Sequence, residues 1–90
     1  MASEFHLDIV TPAKSLFSGK VLSLTALGCE GQFQVLAGHA PFLTLINAGE
    51  VRIDCADKSQ KIFKVSGGFF EVSANKAVLL VESASQLLSE

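Results

Sequence analysis

The sequence predicts an all-β domain, a sandwich or a barrel. Two observations lead there. Short runs alternate apolar and polar residues with a period of two, as in Phe5–Val10 and Val51–Cys55, which marks strands with one buried face. Turn signals recur every ~8–12 residues, the spacing of small β domains. The single departure is the tail, Ser85-Gln86-Leu87-Leu88-Ser89-Glu90, which reads as one or two helical turns that must dock or fray.

Phe5, Leu7 and Ile9 alternate with His6 and Asp8, and Thr11-Pro12 closes this first strand, because proline cannot donate to a ladder. A short piece, Ser15–Phe17, runs to a Ser18-Gly19 turn. Val21–Leu27 puts Leu22, Leu24 and Ala26 on one face and Ser23 and Thr25 on the other. Val21 and Leu27 are out of phase, which predicts a bulge or a covered outer face.

The central stretch, Gly28–Ile53, holds strands Phe33–Leu36, Phe42–Ile46 and Glu50–Cys55. Between them lie the Gly38-His39-Ala40-Pro41 loop and the Asn47-Ala48-Gly49 turn. Ala56–Gln60 reads as a hairpin turn, followed by strand Lys61–Ser66. Gly67-Gly68 breaks the pattern before Phe69–Ser73, and Ala74-Asn75-Lys76 is a tight turn with asparagine suited to a left-handed backbone. Ala77–Glu82 is a near-continuous apolar run, predicted to be buried on both faces. The division expected is a β domain over 1–84 and a tail over 85–90.

Ninety residues make one domain, and a composition 49% hydrophobic with seven Phe can fill its core. The net charge is −2 and the seven Lys and Arg are scattered, so no basic face for nucleic acid is visible. No apolar run approaches the ~20 residues needed to span a bilayer. The first residues, Met1-Ala2-Ser3-Glu4, lack the basic start of a signal peptide. The chain is expected on the cytosolic side, peripheral at most to a membrane. Cys29 and Cys55 are expected as free thiols.

No chemistry stands out. Zinc ligands come in pairs about two to five residues apart, and His6, Cys29, His39 and Cys55 are not paired in that way. No metal or cofactor is expected. There is no Gly-x-Ser-x-Gly elbow for a nucleophile. Gly67-Gly68 lacks the following lysine and helix of a phosphate cradle. His39 is the sharpest single residue: its ring either projects to a partner or bonds back to its own turn. Glu30-Gly31-Gln32 reads as a polar hairpin tip. A small β domain without catalytic residues works through its surface.

One resemblance sharpens this. Glu30-Gly31, Val35, Gly38-His39-Ala40-Pro41, Leu43-Thr44, Gly49 and Val51-Arg52-Ile53 together resemble the epsilon subunit of F-type ATP synthases. Phe5–Pro12 is similar to that family's opening strand, Leu16–Gly19 to its next turn, and Val65–Val72 to its Gly-Gly hairpin. The resemblance implies a flattened β-sandwich of about ten short strands. It implies a non-catalytic rotor part of a proton-translocating synthase, a monomer within the complex, joining the gamma subunit to the c-ring. It further implies a place on the cytoplasmic side of the energy-transducing (bacterial inner) membrane, without insertion into it.

Carried over residue by residue, Glu30, Gly31 and Gln32 match the tip that meets the c-ring. Thr11, His39 and Thr44 match the gamma-facing side, and alternation puts Thr44 opposite Leu43 and Leu45. Gly38, Pro41, Gly49, Gly67 and Gly68 fall at structural turns. Gln34 stands where the family has glycine, Ala37 where it often has proline, and Gln32 where it is often acidic. Glu90 falls where the family's helical hairpin would begin. A short epsilon and the front domain of a longer one both fit, and regulation by extended helices is expected of neither. The readings set against this are a free-standing β-sandwich adaptor or ligand-binding module, and a small hydrolase or metal enzyme.

Overall fold

The computed structural model describes residues 3–89; Met1, Ala2 and Glu90 lie outside the described residues. Nine strands are described: β1 Phe5–Val10, β2 Ser15–Gly28, β3 Gly31–Leu36, β4 Phe42–Ile46, β5 Gly49–Cys55, β6 Gln60–Val65, β7 Gly68–Ser73, β8 Lys76–Val81 and β9 Ala84–Ser89. No helix occurs among the described residues.

β2 organises the architecture. Its first half pairs antiparallel with β1, from Ser15↔Val10 to Val21↔Phe5. Its second half pairs with β3 and β5. The register with β5 jumps between Val21 and Ser23, so Leu22 is the extra residue of a bulge. A bulge bends and twists a strand, and here it carries one strand from one layer into the other. The first layer is β4-β7-β8-β1 with the front of β2; the second is β3, the back of β2, β5, β6 and β9. Gly28↔Ile46 joins the layers again at one end.

The inward residues of both layers form one core. Phe5, Leu7 and Ile9 of β1 and Phe70, Ala77 and Leu79 of β7 and β8 are buried. So are Leu24, Val35, Val51, Ile53 and Phe63 from the second layer. Across the layers, Phe33 lies 5.4 Å from Phe42 and 5.7 Å from Phe70, ring centre to ring centre. Buried Ser23 donates its hydroxyl to Asp54 at 2.7 Å, and Gln60 donates to the same carboxylate at 3.1 Å, so among the described residues no buried side-chain polar atom lacks a partner.

The expected all-β sandwich is what forms, with nine strands described where about ten short ones were expected. Four details differ. Ser18-Gly19 is no turn: both residues sit inside the 14-residue β2, opposite Asp8 and Leu7. The predicted bulge is present, but it takes Leu22 out of the Leu24 and Ala26 face. β8 is covered on one face only: Ala77, Leu79 and Val81 are buried, whereas Val78 and Leu80 are 40% and 45% exposed. The tail is not helical. Ala84–Ser89 is strand β9, antiparallel to β6, because β6 offers a free ladder edge and a short isolated helix has nothing to hold it. The division drawn after residue 84 therefore falls within a strand.

Candidate functional site

Alternation sorts the outer face of the first layer into rows. Leu45, Phe69, Leu80 and Val10 stand directly abreast on β4, β7, β8 and β1. The next row is Leu43, Glu71, Val78 and Asp8. Leu43, Leu45 and Phe69 are each more than half exposed, and Val78 and Leu80 nearly so. The corresponding face of the second layer carries Gln32, Gln34, Thr25, Glu50, Arg52 and Lys64, with Lys64 abreast of Glu50, and among them the exposed Leu27 and Leu36. The first layer's outer face is thus mainly apolar and the second's mainly polar. Contiguous exposed apolar patches mark contact surfaces on soluble domains. At the edge of this patch a shallow groove of about 310 Å³ runs between Pro12, Phe69, Leu80 and Glu82.

The two ends of the sandwich differ as well. Gly28↔Ile46, Ile46↔Gly68 and Gly68↔Val81 gather the Cys29–Gly31 hairpin, the Asn47-Ala48 turn, Gly67 and Glu82 at one end. Glu30, Gly31 and Gln32 are exposed there. Asn47 steadies this tip by donating its backbone N–H to the Leu27 carbonyl at 2.9 Å. Thr11 lies at the same end, since Val10 pairs with Leu80. It closes its own turn, with its Oγ1 accepting the Lys14 N–H at 3.2 Å.

Gly67-Gly68 shapes this end too. Gly67 has φ +129, and a Cβ on it would press the Ile46 carbonyl at 3.2 Å; a Cβ on Gly68 would collide with the Leu80 carbonyl. The pair is therefore a close-packing device, with Gly68 already the first residue of β7.

His39 lies at the opposite end. The pairings Phe42↔Val72 and Ser73↔Lys76, with His6↔Lys76, bring its loop beside the β7–β8 turn and the start of β1. Its ring bonds back to its own turn: Nδ1 donates to the Ala40 carbonyl at 2.7 Å, leaving Nε2 as the nitrogen that can meet a partner. The ring also leans on Phe42, with centres 5.5 Å apart. Thr44 lies mid-strand and points away from Leu43 and Leu45, as alternation required; its Oγ1 is 4.0 Å from the Cys29 sulfur. Thr11, His39 and Thr44 do not converge. They stand at one end, the other end and the underside edge of the apolar face.

His6, Asp8 and Ser18 form a surface cluster. Asp8 Oδ1 and Ser18 Oγ both approach the same nitrogen, His6 Nε2, at 3.1 and 3.4 Å. A proton relay needs the two partners on different ring nitrogens, so this cluster is not a nucleophile triad. The Ser18 hydroxyl, then His6 and Lys76, hold the Asp8 carboxyl below its usual value against the opposing effect of burial. Cys29 and Cys55 are free thiols, one exposed and one buried. Among the described residues no group of three or more His, Cys, Asp or Glu is placed to hold a metal ion.

Sequence reasoning missed the apolar face. The alternation of β4 and β8 was readable, but not which side of each strand faced the core.

These features define a class of fold, a β-sandwich that offers faces and ends for contact. Residues 4–87 match the family model for the ATP synthase delta/epsilon chain β-sandwich domain, and the chain belongs to that family. The ATP synthase epsilon chain of Chlorobium limicola is 54% identical over 81 residues, covering 90% of this chain and 92% of that one. The epsilon chain of Hyphomonas neptunium is 42% identical over 87 residues, covering 97% of this chain and 64% of its own. Among solved structures, a chain of the Euglena gracilis mitochondrial ATP synthase superposes with a TM-score of 0.87 at 20% identity, over 92% of this chain and 53% of that one. A chain of the Tetrahymena thermophila central stalk and c-ring superposes with a TM-score of 0.76 at 19% identity, over 92% of this chain and 66% of that one. At such identities these two establish the fold.

Proposed function

We propose that this chain is a central-stalk epsilon chain, a non-catalytic rotor part that grips the gamma subunit with its apolar sheet face and rests the Glu30–Gln32 tip on the c-ring. The family assignment supports the rotor role. The observation that carries the gamma contact is the in-register row of exposed Leu45, Phe69 and Leu80, continued by half-buried Val10, on one sheet, while the other sheet is mainly polar. Stable interfaces have an apolar centre inside a polar rim. Thr11 and His39 occupy the two ends of that face, which is where rim contacts belong, whereas Thr44 points to its underside and meets only a partner that wraps the β4 edge. Glu71, set among Leu43, Val78 and Phe69, calls for a cationic side chain on the partner. At the tip, Glu30 is the carboxylate available to a basic c-ring loop, since Gln32 carries no charge.

A rotor part must transmit torque without deforming. One continuous core shared by both layers suits this, because β-sandwich interiors pack as densely as organic crystals. The chain then sits peripherally on the cytoplasmic side of the energy-transducing membrane, held there by its partners.

The test is binding to purified gamma subunit from the same source. A one-to-one complex at micromolar concentration, lost when Phe69 is changed to Asp, is the expected result. No association at that concentration overturns the proposal.

A further inference from the structure

We infer that Asn75 is the positioning residue for the His39 loop; the inference rests on the reading of His39 as part of the gamma contact. Ala74 and Asn75 form the two-residue turn between β7 and β8, with φ values of 52° and 61°. Two left-handed residues in a hairpin loop define a type I′ turn. That turn favours glycine at its second position, and asparagine is only tolerated there. The turn alone does not account for the side chain. The Gly38-His39-Ala40-Pro41 loop does: Asn75 Oδ1 accepts the Gly38 N–H at 2.8 Å.

The loop has need of this tie. Gly38 has φ +82 and open space around it, so its backbone has many alternatives. The other hydrogen bonds described for the loop are internal: the His39 N–H to the Leu36 carbonyl at 3.2 Å and His39 Nδ1 to the Ala40 carbonyl at 2.7 Å. Ala37 enters the loop without the stiffness a proline would supply. The backbone carbonyl of Asn75 accepts the His6 N–H at 2.9 Å. One residue therefore joins the β7–β8 tip, the start of β1 and the loop. It fixes Gly38, and through Gly38 the direction in which His39 presents its ring. A preset loop loses less freedom when a partner binds.

The experiment uses N75G, which suits the turn and deletes the acceptor, and N75D, which keeps an acceptor oxygen. N75G is expected to retain the wild-type melting temperature to within a few degrees, while hydrogen exchange at the Gly38 amide speeds up about tenfold. Its affinity for gamma falls about 3- to 10-fold, the scale of one lost hydrogen bond. N75D restores both. In an H39A background N75G costs no further affinity, because its effect passes through the histidine. Unchanged Gly38 exchange in N75G overturns the inference, as does an equal affinity loss with and without His39. Faster exchange with unchanged gamma affinity in both N75G and H39A overturns instead the placement of His39 against gamma.

Discussion

Gly68 is the most tightly enclosed of the glycines. A methyl group at that position meets the Leu80 carbonyl, part of the neighbouring strand's backbone, and neither can yield without breaking the β7–β8 ladder. Gly68→Ala should destabilise the domain by at least the ~1–3 kcal/mol of ordinary overpacking, measured by chemical denaturation. His39 is the opposite case. It is exposed and its ring hydrogen-bonds within its own turn, so His39→Asp should leave the circular dichroism melt in place and weaken gamma binding. Unchanged affinity would return it to a purely local role. Asp8 gives a pH dependence of known sign. Its folded-state carboxyl titrates below 3.8 because the Ser18 hydroxyl, His6 and Lys76 favour the anion. Such a group stabilises the fold above its unfolded pKa, and that contribution is lost as pH falls through the lower folded value. Asp8→Asn should therefore be slightly less stable than wild type at neutral pH, and the gap should close below about pH 4. The effect is small because the pair is open to solvent.

At the scale of elements, β8 and β9 separate what alternation shows from what it hides. Five consecutive apolar residues, Ala77 to Val81, suit a strand covered twice, but the described residues cover only one of its faces. Leu79 is fully buried and Leu80 is 45% exposed. Leu79→Asp should abolish folding, since it buries an unpaired charge. Leu80→Asp should fold, melt cooperatively and fail to bind gamma. If Leu80→Asp unfolds the domain, the face assigned to β8 is wrong. β9 is readable as a strand only once β6 is known to offer an edge. Removing residues 84–90 should lower the melting temperature, because it uncovers the β6 ladder along Phe63 and Val65; an unchanged melt would make β9 dispensable.

At the scale of the whole molecule, an apolar face and a charged tip respond differently to salt. Contact through Leu45, Phe69 and Leu80 relies on burial of apolar area and should hold as ionic strength rises. Contact through Glu30 is electrostatic and screened over ~8 Å at physiological ionic strength. Binding of gamma should therefore change little with added salt, while binding to purified c-ring should weaken. Glu30→Gln should weaken the c-ring contact and remove most of its salt dependence without touching the gamma contact. Equal salt sensitivity in both would mean that the two surfaces are misassigned.

By itself the sequence determined that this is a β domain with its strands near their observed places. It also determined the bulge near Val21, the left-handed turn at Asn75 and the resemblance carried by Gly38-His39-Ala40-Pro41. Those are local properties: a period of two, a residue that tolerates positive φ and an ordered motif are all written within a few positions. Only the tertiary structure decided that β2 runs unbroken through both layers, that residues 84–89 add a strand to β6 and that Leu43, Leu45 and Leu80 face outward. Each of these depends on which segment lies alongside, and a one-residue change of register exchanges the two faces of a strand. An apolar side chain is written the same way whether its own core covers it or another protein does.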